Sequence, residues 1–551
     1  MARLFFTIIL LACLVLGLRY CFEHSPAMQQ IDLYALIPKD AVYIVETDRP
    51  LEQWQHFKDG KIWQFLQQND YLAGINTQVE GLNQTLSGKE KALGYILKGK
   101  LITSAHVKNG TYNYLYLLDI AQAARIADVP PLLTALLKNS GYEVSNEKYQ
   151  EQTIYRLYDA ATNSALFVAF RGSALAASYD LGLLKQAIGT SLKPYFTSDS
   201  LLTDIRTRIG NGGMANIYIN HPELLDFAAC YANTQQTPLV ALGDMLSLSG
   251  MNLAIENNFI ELQGNSLINN QSQSYLKALI TVDKSDLRAA EILPPNTSFF
   301  TSICFDDFEK LQQALVQLQG KQPEPEAPEN VGDLIAQELS KALKKELPNW
   351  IEHEIALALV PKPDDSLQQA YVAVIPLSSK RDMVADKLSK TLYALDQLNP
   401  LQFLKKDKDL EYRDYRLVRL PVAGLLRSAG GDIFKDMGKP YLTLIGDYLV
   451  FCDDENILKH IIDHYDNGTT LAADAQYNRF FERFKTQSSV FTYIKTNDFY
   501  PVLLGKLKND KRASLIKNKD YLMRFPHWGF QLLPDGDVYK THFFTDFETL
   551  Q

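Results

Sequence analysis

Three features of the 551-residue chain predict an α+β fold: an N-terminal membrane helix followed by two homologous domains, each with a mainly antiparallel sheet and flanking helices. One is an uncharged apolar run from Leu4 to Leu18. Another is an internal duplication whose offset grows from 256 to 274 residues. The third is apolar alternation at period two, interrupted by short amphipathic stretches of helical period.

Residues 1–24 read as a signal-anchor or transmembrane helix. The fifteen apolar residues after Arg3 rise about 22 Å as a helix. That falls short of a ~30 Å hydrocarbon core, unless Tyr20 to Phe22 extend the helix while Arg19 snorkels. Small residues suited to signal cleavage occur only later, at Ser25-Pro26-Ala27, and Cys13 lies too deep in the run for a lipoprotein. The basic amino end stays on the cytoplasmic side, so the chain is expected in the cell inner membrane, single-pass, with its soluble part periplasmic.

The remainder divides at about residue 285, giving repeat domains over 25–285 and 286–551. Leu36-Ile37-Pro38 feeds the strand Ala41 to Val45, and Ile292-Leu293-Pro294 feeds one near Phe299-Phe300. Each strand leads into an amphipathic stretch, Leu51 to Leu66 or Phe308 to Leu318. Tyr114 to Leu118 answers Tyr371 to Ile375, and Ile154 to Leu157 answers Leu417 to Leu420. Phe167 to Ile188 aligns without a gap on Tyr441 to Ile462, with a Gly at each hairpin turn (Gly172, Gly446). Asp180 and Asp454 stand where they would cap the following helices. Leu253 to Leu262 and Phe530 to Phe544 read as closing hairpins, and Tyr275 to Val282 as a strand. A period this long makes each copy a domain rather than a solenoid repeat. Acidic, proline-rich residues 319–332 form an exposed loop inside the second copy.

The Pro-x-Asp/Asn-x-x-Tyr/Phe strand after an N-terminal apolar segment, the Gly-turned hairpin ending in Asp and the closing hairpins resemble an uncharacterised family of bacterial envelope proteins, a domain of unknown function (DUF3352-like). The resemblance covers most of residues 30–551. It implies an exported bacterial protein and carries no catalytic residues.

Composition narrows the function classes. Apolar residues make up 46% and charged residues 22%, an ordinary globular balance that excludes collagen-like or wholly disordered chains. A net charge of −9 supplies no field for a polyanion, so nucleic acid is not an expected partner. The chemistry-bearing patterns each have a plainer reading. His460 and His464 share a helix face around Asp463, but an inverted zincin needs Glu there and a third ligand. His353 has no second His at ligand spacing. Ser514-x-x-Lys517 lacks the companion motifs of penicillin-recognising enzymes, and Gly438-Lys439-Pro440 lacks the rest of a phosphate loop. Cys230, Cys304 and Cys452 show no metal spacing and read as small buried hydrophobes. Lys506 to Lys519 is a basic stretch, Ala423 to Gly431 a small-residue loop, and Tyr114 with Tyr116 an alternating aromatic pair, all read as surface or packing. No catalytic, cofactor or metal residue is assigned. The expectation is a membrane-anchored extracytoplasmic binding, scaffold or assembly protein, non-enzymatic, contacting the membrane through its first helix and an envelope protein elsewhere. The alternatives are an envelope hydrolase with its site between the repeats, or a carrier of lipid or another apolar ligand.

Overall fold

Alternation of β-branched and aromatic residues builds the strands, and short turns order them. A computed structural model of the chain describes residues 30–69, 99–121, 143–160, 163–189, 200–210, 212–232, 245–271, 274–319, 346, 349–398, 410–420 and 437–548. The chain divides into two compact units, residues 1–267 with 547–551, and residues 268–546.

The first unit carries β1 (Ala41–Thr47), β2 (Leu101–Lys108), β3 (Thr111–Asp119), β4 (Glu143–Tyr149), β5 (Gln152–Asp159), β6 (Ser164–Arg171), β7 (Ala174–Ser178), β8 (Ala215–Asn220), β9 (Leu246–Ile255) and β10 (Phe259–Ile268). Hydrogen bonding sets the order β4-β5-β6-β7-β3-β2-β1-β8-β9-β10, antiparallel from β4 to β9. In β1, Val42, Ile44 and Glu46 are buried while the residues between them are partly exposed. The pleat therefore carries a carboxylate onto the core face.

The second unit carries β11 (Ser285–Asp286), β12 (Phe299–Cys304), β13 (Glu354–Lys362), β14 (Asp365–Pro376), β15 (Leu410–Tyr412), β16 (Tyr415–Arg419), β17 (Tyr441–Ile445), β18 (Tyr448–Cys452), β19 (Gln487–Ser488), β20 (Val490–Lys495), β21 (His527–Asp535) and β22 (Val538–Asp546). Its antiparallel order is β15-β16-β17-β18-β14-β13-β12-β20-β21-β22, with β11 and β19 forming a separate two-stranded ribbon.

The β6–β7 and β17–β18 hairpins turn at Gly172 (φ 50°) and Gly446 (φ 54°), a left-handed conformation that a Cβ disfavours. Asp180 then accepts the Leu183 N–H at 2.6 Å and opens the helix Leu181–Ile188. Asp454 accepts the Asn456 and Ile457 N–H groups at 2.9 and 3.4 Å and opens the helix Glu455–Asp466. The latter buries Ile457, Leu458, Ile461 and Ile462 as one stripe. Each such side chain contributes roughly 1.5–3 kcal/mol.

Two elements differ from the sequence reading. Tyr275 to Val282 is not a strand: Ser274 caps a helix over Tyr275–Leu279, accepting the Lys277 N–H at 3.3 Å, and the Leu-Lys-Ala-Leu run favours helix. Leu51 to Leu66 is two helices, Pro50–Lys58 and Lys61–Leu66, parted at Asp59-Gly60.

The expected membrane helix requires correction. Among the described residues no helix is long and apolar enough to cross a membrane. The longest, Arg381–Leu398, has 18 residues but carries Arg381, Asp382, Asp386, Lys387 and Lys390. The segment 1–24 lies outside the described residues, as do most of the 319–332 loop and all of 423–431. The fold is therefore α+β with large antiparallel sheets. The expectations that rested on a spanning helix, namely single-pass inner-membrane location, a periplasmic soluble part and membrane contact, are not carried forward.

Candidate functional site

Strand alternation in the first unit places polar side chains where a core would ordinarily be apolar. Glu46 on β1 lies opposite Asn216 on β8, and Ile44 opposite Tyr218. Only 3% of Glu46 is exposed. Lys100 Nζ donates to its Oε1, while the Tyr218 hydroxyl (2.8 Å) and Asn216 Nδ2 (3.3 Å) donate to its Oε2. Arg206 Nη2 stands 3.8 Å from Oε1, and its guanidinium lies 4.2 Å over the Tyr34 ring. Burial raises the Glu46 pKa, but the Lys100 hydrogen bond and charge and the Tyr218 hydroxyl outweigh it, so the carboxyl sits below its ordinary range.

A 130 Å³ pocket opens beside this centre, lined by Glu46, Asp48, Gln53, Asn216 and the Gly212–Ala215 segment. Gly213 has φ +71°, and a Cβ there would lie 2.5 Å from the Leu253 carbonyl oxygen, so this wall depends on glycine. Asn216 is 6% exposed, and its Oδ1 is buried without a hydrogen-bond partner. Its orientation is pinned, because flipping the amide would set Oδ1 against the Glu46 carboxylate in place of the donating Nδ2.

A second constellation lies nearby on β2. Ser104 Oγ is 2.9 Å from His106 Nε2, and His106 Nδ1 is 2.8 Å from Asp40 Oδ1, the order of a serine-hydrolase relay. Burial raises the Asp40 pKa, but the His106 hydrogen bond and charge prevail and hold it low. Ser104 and His106 are both 0% exposed, and neither this pocket nor the one described next is lined by them. A nucleophile sealed in a strand cannot meet a substrate, so the trio acts as a buried polar brace.

The second unit holds a 260 Å³ pocket lined by Ser285, Asp286, Arg288, Glu352, His353, Glu354 and Pro376. Glu354 is 1% exposed and accepts the Arg288 and Ala289 N–H groups at 2.7 and 3.3 Å, which anchors the 3₁₀ turn Ala289–Glu291. Burial pushes its carboxyl up to about 7, opposed by Ser302 and those two amides. Glu352 accepts the Ser379 hydroxyl at 2.6 Å through Oε1, while its Oε2 is buried without a partner.

Apart from His353, the sequence candidates lie elsewhere, and they do not converge. His460 and His464 stack edge to face at 4.5 Å; His460 Nε2 faces Asn296 Oδ1 (3.1 Å) and His464 Nδ1 faces Thr469 Oγ1 (2.8 Å). Among the described residues no group of three or more His, Cys, Asp or Glu could hold a metal ion. His353 is exposed, at the lining of the second-unit pocket. Ser514 and Lys517 lie on the helix Asn509–Lys517, whose end uses the Ser514 carbonyl to bind Asn518. The Gly438 N–H is taken by Asp453 Oδ2 at 3.1 Å, where a phosphate loop would need it free. Cys230, Cys304 and Cys452 are buried free thiols, and burial pushes Cys452 up to about 12. In the basic stretch, Lys519 sits 5.1 Å over the Tyr500 ring. The Tyr114 hydroxyl accepts from Tyr43 at 3.2 Å, and its ring packs between Tyr112 and Tyr116.

Sequence reasoning missed Glu46, Lys100, Asn216, Tyr218, Glu354 and the Asp40–His106–Ser104 trio. The available signal was a polar residue at an inward position of an alternating strand: Val42-x-Ile44-x-Glu46, Ile102-x-Ser104-x-His106 and Asn216-x-Tyr218.

The function expected from the sequence is corrected with the location. Membrane anchoring has no spanning helix behind it among the described residues, and the two pockets described above are each lined by carboxylates and other polar side chains. The scaffold reading and its hydrolase and apolar-carrier alternatives are set aside. The profile of a family described as "Protein of unknown function (DUF3352)" matches residues 104–406, which is 303 of the 551 residues. No curated protein and no solved structure matches the chain.

Proposed function

Because the chain belongs to the DUF3352 family, whose description assigns no activity, we propose from its geometry that it is a binding protein for a small polar ligand, held in the first-unit pocket beside Glu46 and Asn216. The observation that carries this reading is the lining itself: Glu46, Asp48, Gln53 and Asn216 converge on one cavity, whose wall requires glycine at 213. The pocket is smaller than the ~300–1,000 Å³ of drug-sized sites, so the ligand is small or enters by one end.

The two units are read as copies of one ancestral module, and their common strand order supports this. So does a shared backbone bond: Met214 N–H to the Leu253 carbonyl (2.7 Å) and Ser489 N–H to the Leu532 carbonyl (3.0 Å). On that reading the site belongs to one copy. Ser302 and Phe491 are paired where Glu46 and Asn216 are paired, each two residues beyond the Phe300–Tyr493 or Ile44–Tyr218 pair.

The Met214 methyl group in the pocket wall is a reporter for the test. With methyl-labelled methionine and a Met214→Leu control for assignment, donor-bearing probes such as acetamide should shift its NMR signal saturably, and Asn216→Leu should abolish the shift. A Met214 signal indifferent to every donor probe would contradict the proposal.

A further inference from the structure

Three asparagines of the chain precede a glycine, Asn109, Asn211 and Asn467, and the structure sets two of them apart. Asn211 lies outside the described residues. We propose that Asn109 is a site of spontaneous self-modification, where the side-chain amide is lost as ammonia and the backbone is partly rerouted through isoaspartate. The turn between β2 and β3 is Asn109-Gly110, both exposed, with φ of 53° and 72°, the two positive values of a type I′ hairpin turn. Lys108 and Thr111 are the pair that closes it, so the Gly110 N–H stands outside the strand ladder. Among the described residues it donates no hydrogen bond. A Cβ built on Gly110 would meet nothing within 4 Å, so its peptide has room to swing toward the Asn109 side chain.

The chemistry needs only these two residues and water. The Gly110 nitrogen gives its proton to solvent base and attacks Asn109 Cγ. The N–Cγ bond forms, the Cγ–Nδ2 bond breaks, and the amide leaves as ammonia with a proton returned by water. Water then opens the resulting cyclic imide at one of its two carbonyls. Attack at Cγ gives aspartate, and attack at the Asn109 main-chain carbonyl gives isoaspartate, in which the chain runs through Cβ and Cγ. In sum one water is consumed and one ammonia released, and the net charge of −9 gains one negative unit. Asn467 has the same neighbour without the same freedom. The Gly468 N–H is held by the Tyr465 carbonyl at 3.0 Å and the Asn467 N–H by the Asp463 carbonyl at 3.1 Å, which closes the end of the helix Glu455–Asp466. Ring closure there must first undo that end. Isoaspartate at 109 puts an extra backbone atom into a two-residue loop and loosens the Lys108–Thr111 pairing, in the hairpin whose β2 strand carries Ser104 and His106.

The test incubates the full chain near neutral pH, folded and in urea, and follows the amide-to-acid mass change at each asparagine by peptide mapping. In the folded chain Asn109 should convert at least about tenfold faster than Asn467, the rate equivalent of ~1.4 kcal/mol. Part of the product should be isoaspartate, identified by electron-transfer fragmentation. In urea, with the hairpin turn and the helix end both undone, the two rates should converge. Asn109→Gly, which suits a type I′ turn, should keep the wild-type melting temperature and lower the ammonia released by the share that Asn109 supplied. An intact Asn109, a folded rate at Asn467 equal to or above that at Asn109, or a contrast that survives in urea would overturn the proposal. Aspartate formed at 109 with no isoaspartate would overturn the cyclic route.

Discussion

Replacing Lys100 by methionine should strand the Glu46 carboxylate in the sheet and reverse the sign of its contribution to stability. In the native chain the Glu46 pKa lies below its ordinary value. Its contribution is therefore complete above the unfolded value of about 4.3, and it is lost as pH falls through the lower folded value. The Lys100 contact is worth about 4 kcal/mol at 4 Å in an effective dielectric of ~20. Arg206 Nη2 at 3.8 Å, the Tyr218 hydroxyl and Asn216 Nδ2 remain to hold the carboxylate. The cost should thus fall toward the lower end of what breaking a buried pair brings, about 3 kcal/mol. Without Lys100 the burial effect prevails, and the folded pKa rises above the unfolded one. The deficit should then be greatest at neutral pH and shrink as pH drops below about 4. The double variant Glu46→Gln with Lys100→Met should recover most of the loss, because no charge is left buried. Urea unfolding of the three proteins from pH 3.5 to 8 measures this. A Lys100→Met deficit that is constant with pH, or a double variant no better than the single, would refute the reasoning.

Three further outcomes follow from the same structure. Glu354, lifted by burial to about 7, binds its proton more tightly folded than unfolded, so its contribution is complete below about pH 4.5 and is lost as pH rises through 7. Glu354→Gln should remove that slope, about 3.5 kcal/mol at ~1.4 per pH unit, in the same urea series. Asp454→Ala should cost about 1 kcal/mol through loss of the helix cap, read as a lower chemical-denaturation midpoint. Gly213→Ala should destabilise by more than ~1 kcal/mol, because the residue combines a positive φ with a close approach to the Leu253 carbonyl, and it should abolish the Met214 response to ligand.

Much of the fold was legible because it is written in local chemistry. Gly172 and Gly446 mark turns that need positive φ, and Asp180 and Asp454 sit one residue before their helices with carboxylates that accept the first helical N–H groups. The Tyr275 segment misled because its apolar run is too short for periodicity to separate strand from helix, and the Ser274 cap decides it. The apolar run at 4–18 fixed attention on a membrane, yet the described helices contain none that could span one. The candidate site was nearly invisible because its members come from β1, β8 and the residue just before β2, far apart in sequence. Glu46, Lys100 and Asn216 become neighbours only through the β2–β1–β8 pairing. Single polar letters inside alternating strands were the trace they left, and that pattern by itself does not say which of them meets a cavity.

The most direct measurement is a crystal structure of the full chain grown with acetamide. The account predicts the probe inside the pocket, with a polar atom within about 2.7–3.2 Å of a Glu46, Asp48, Gln53 or Asn216 side chain. A pocket holding only water at saturating acetamide would contradict it.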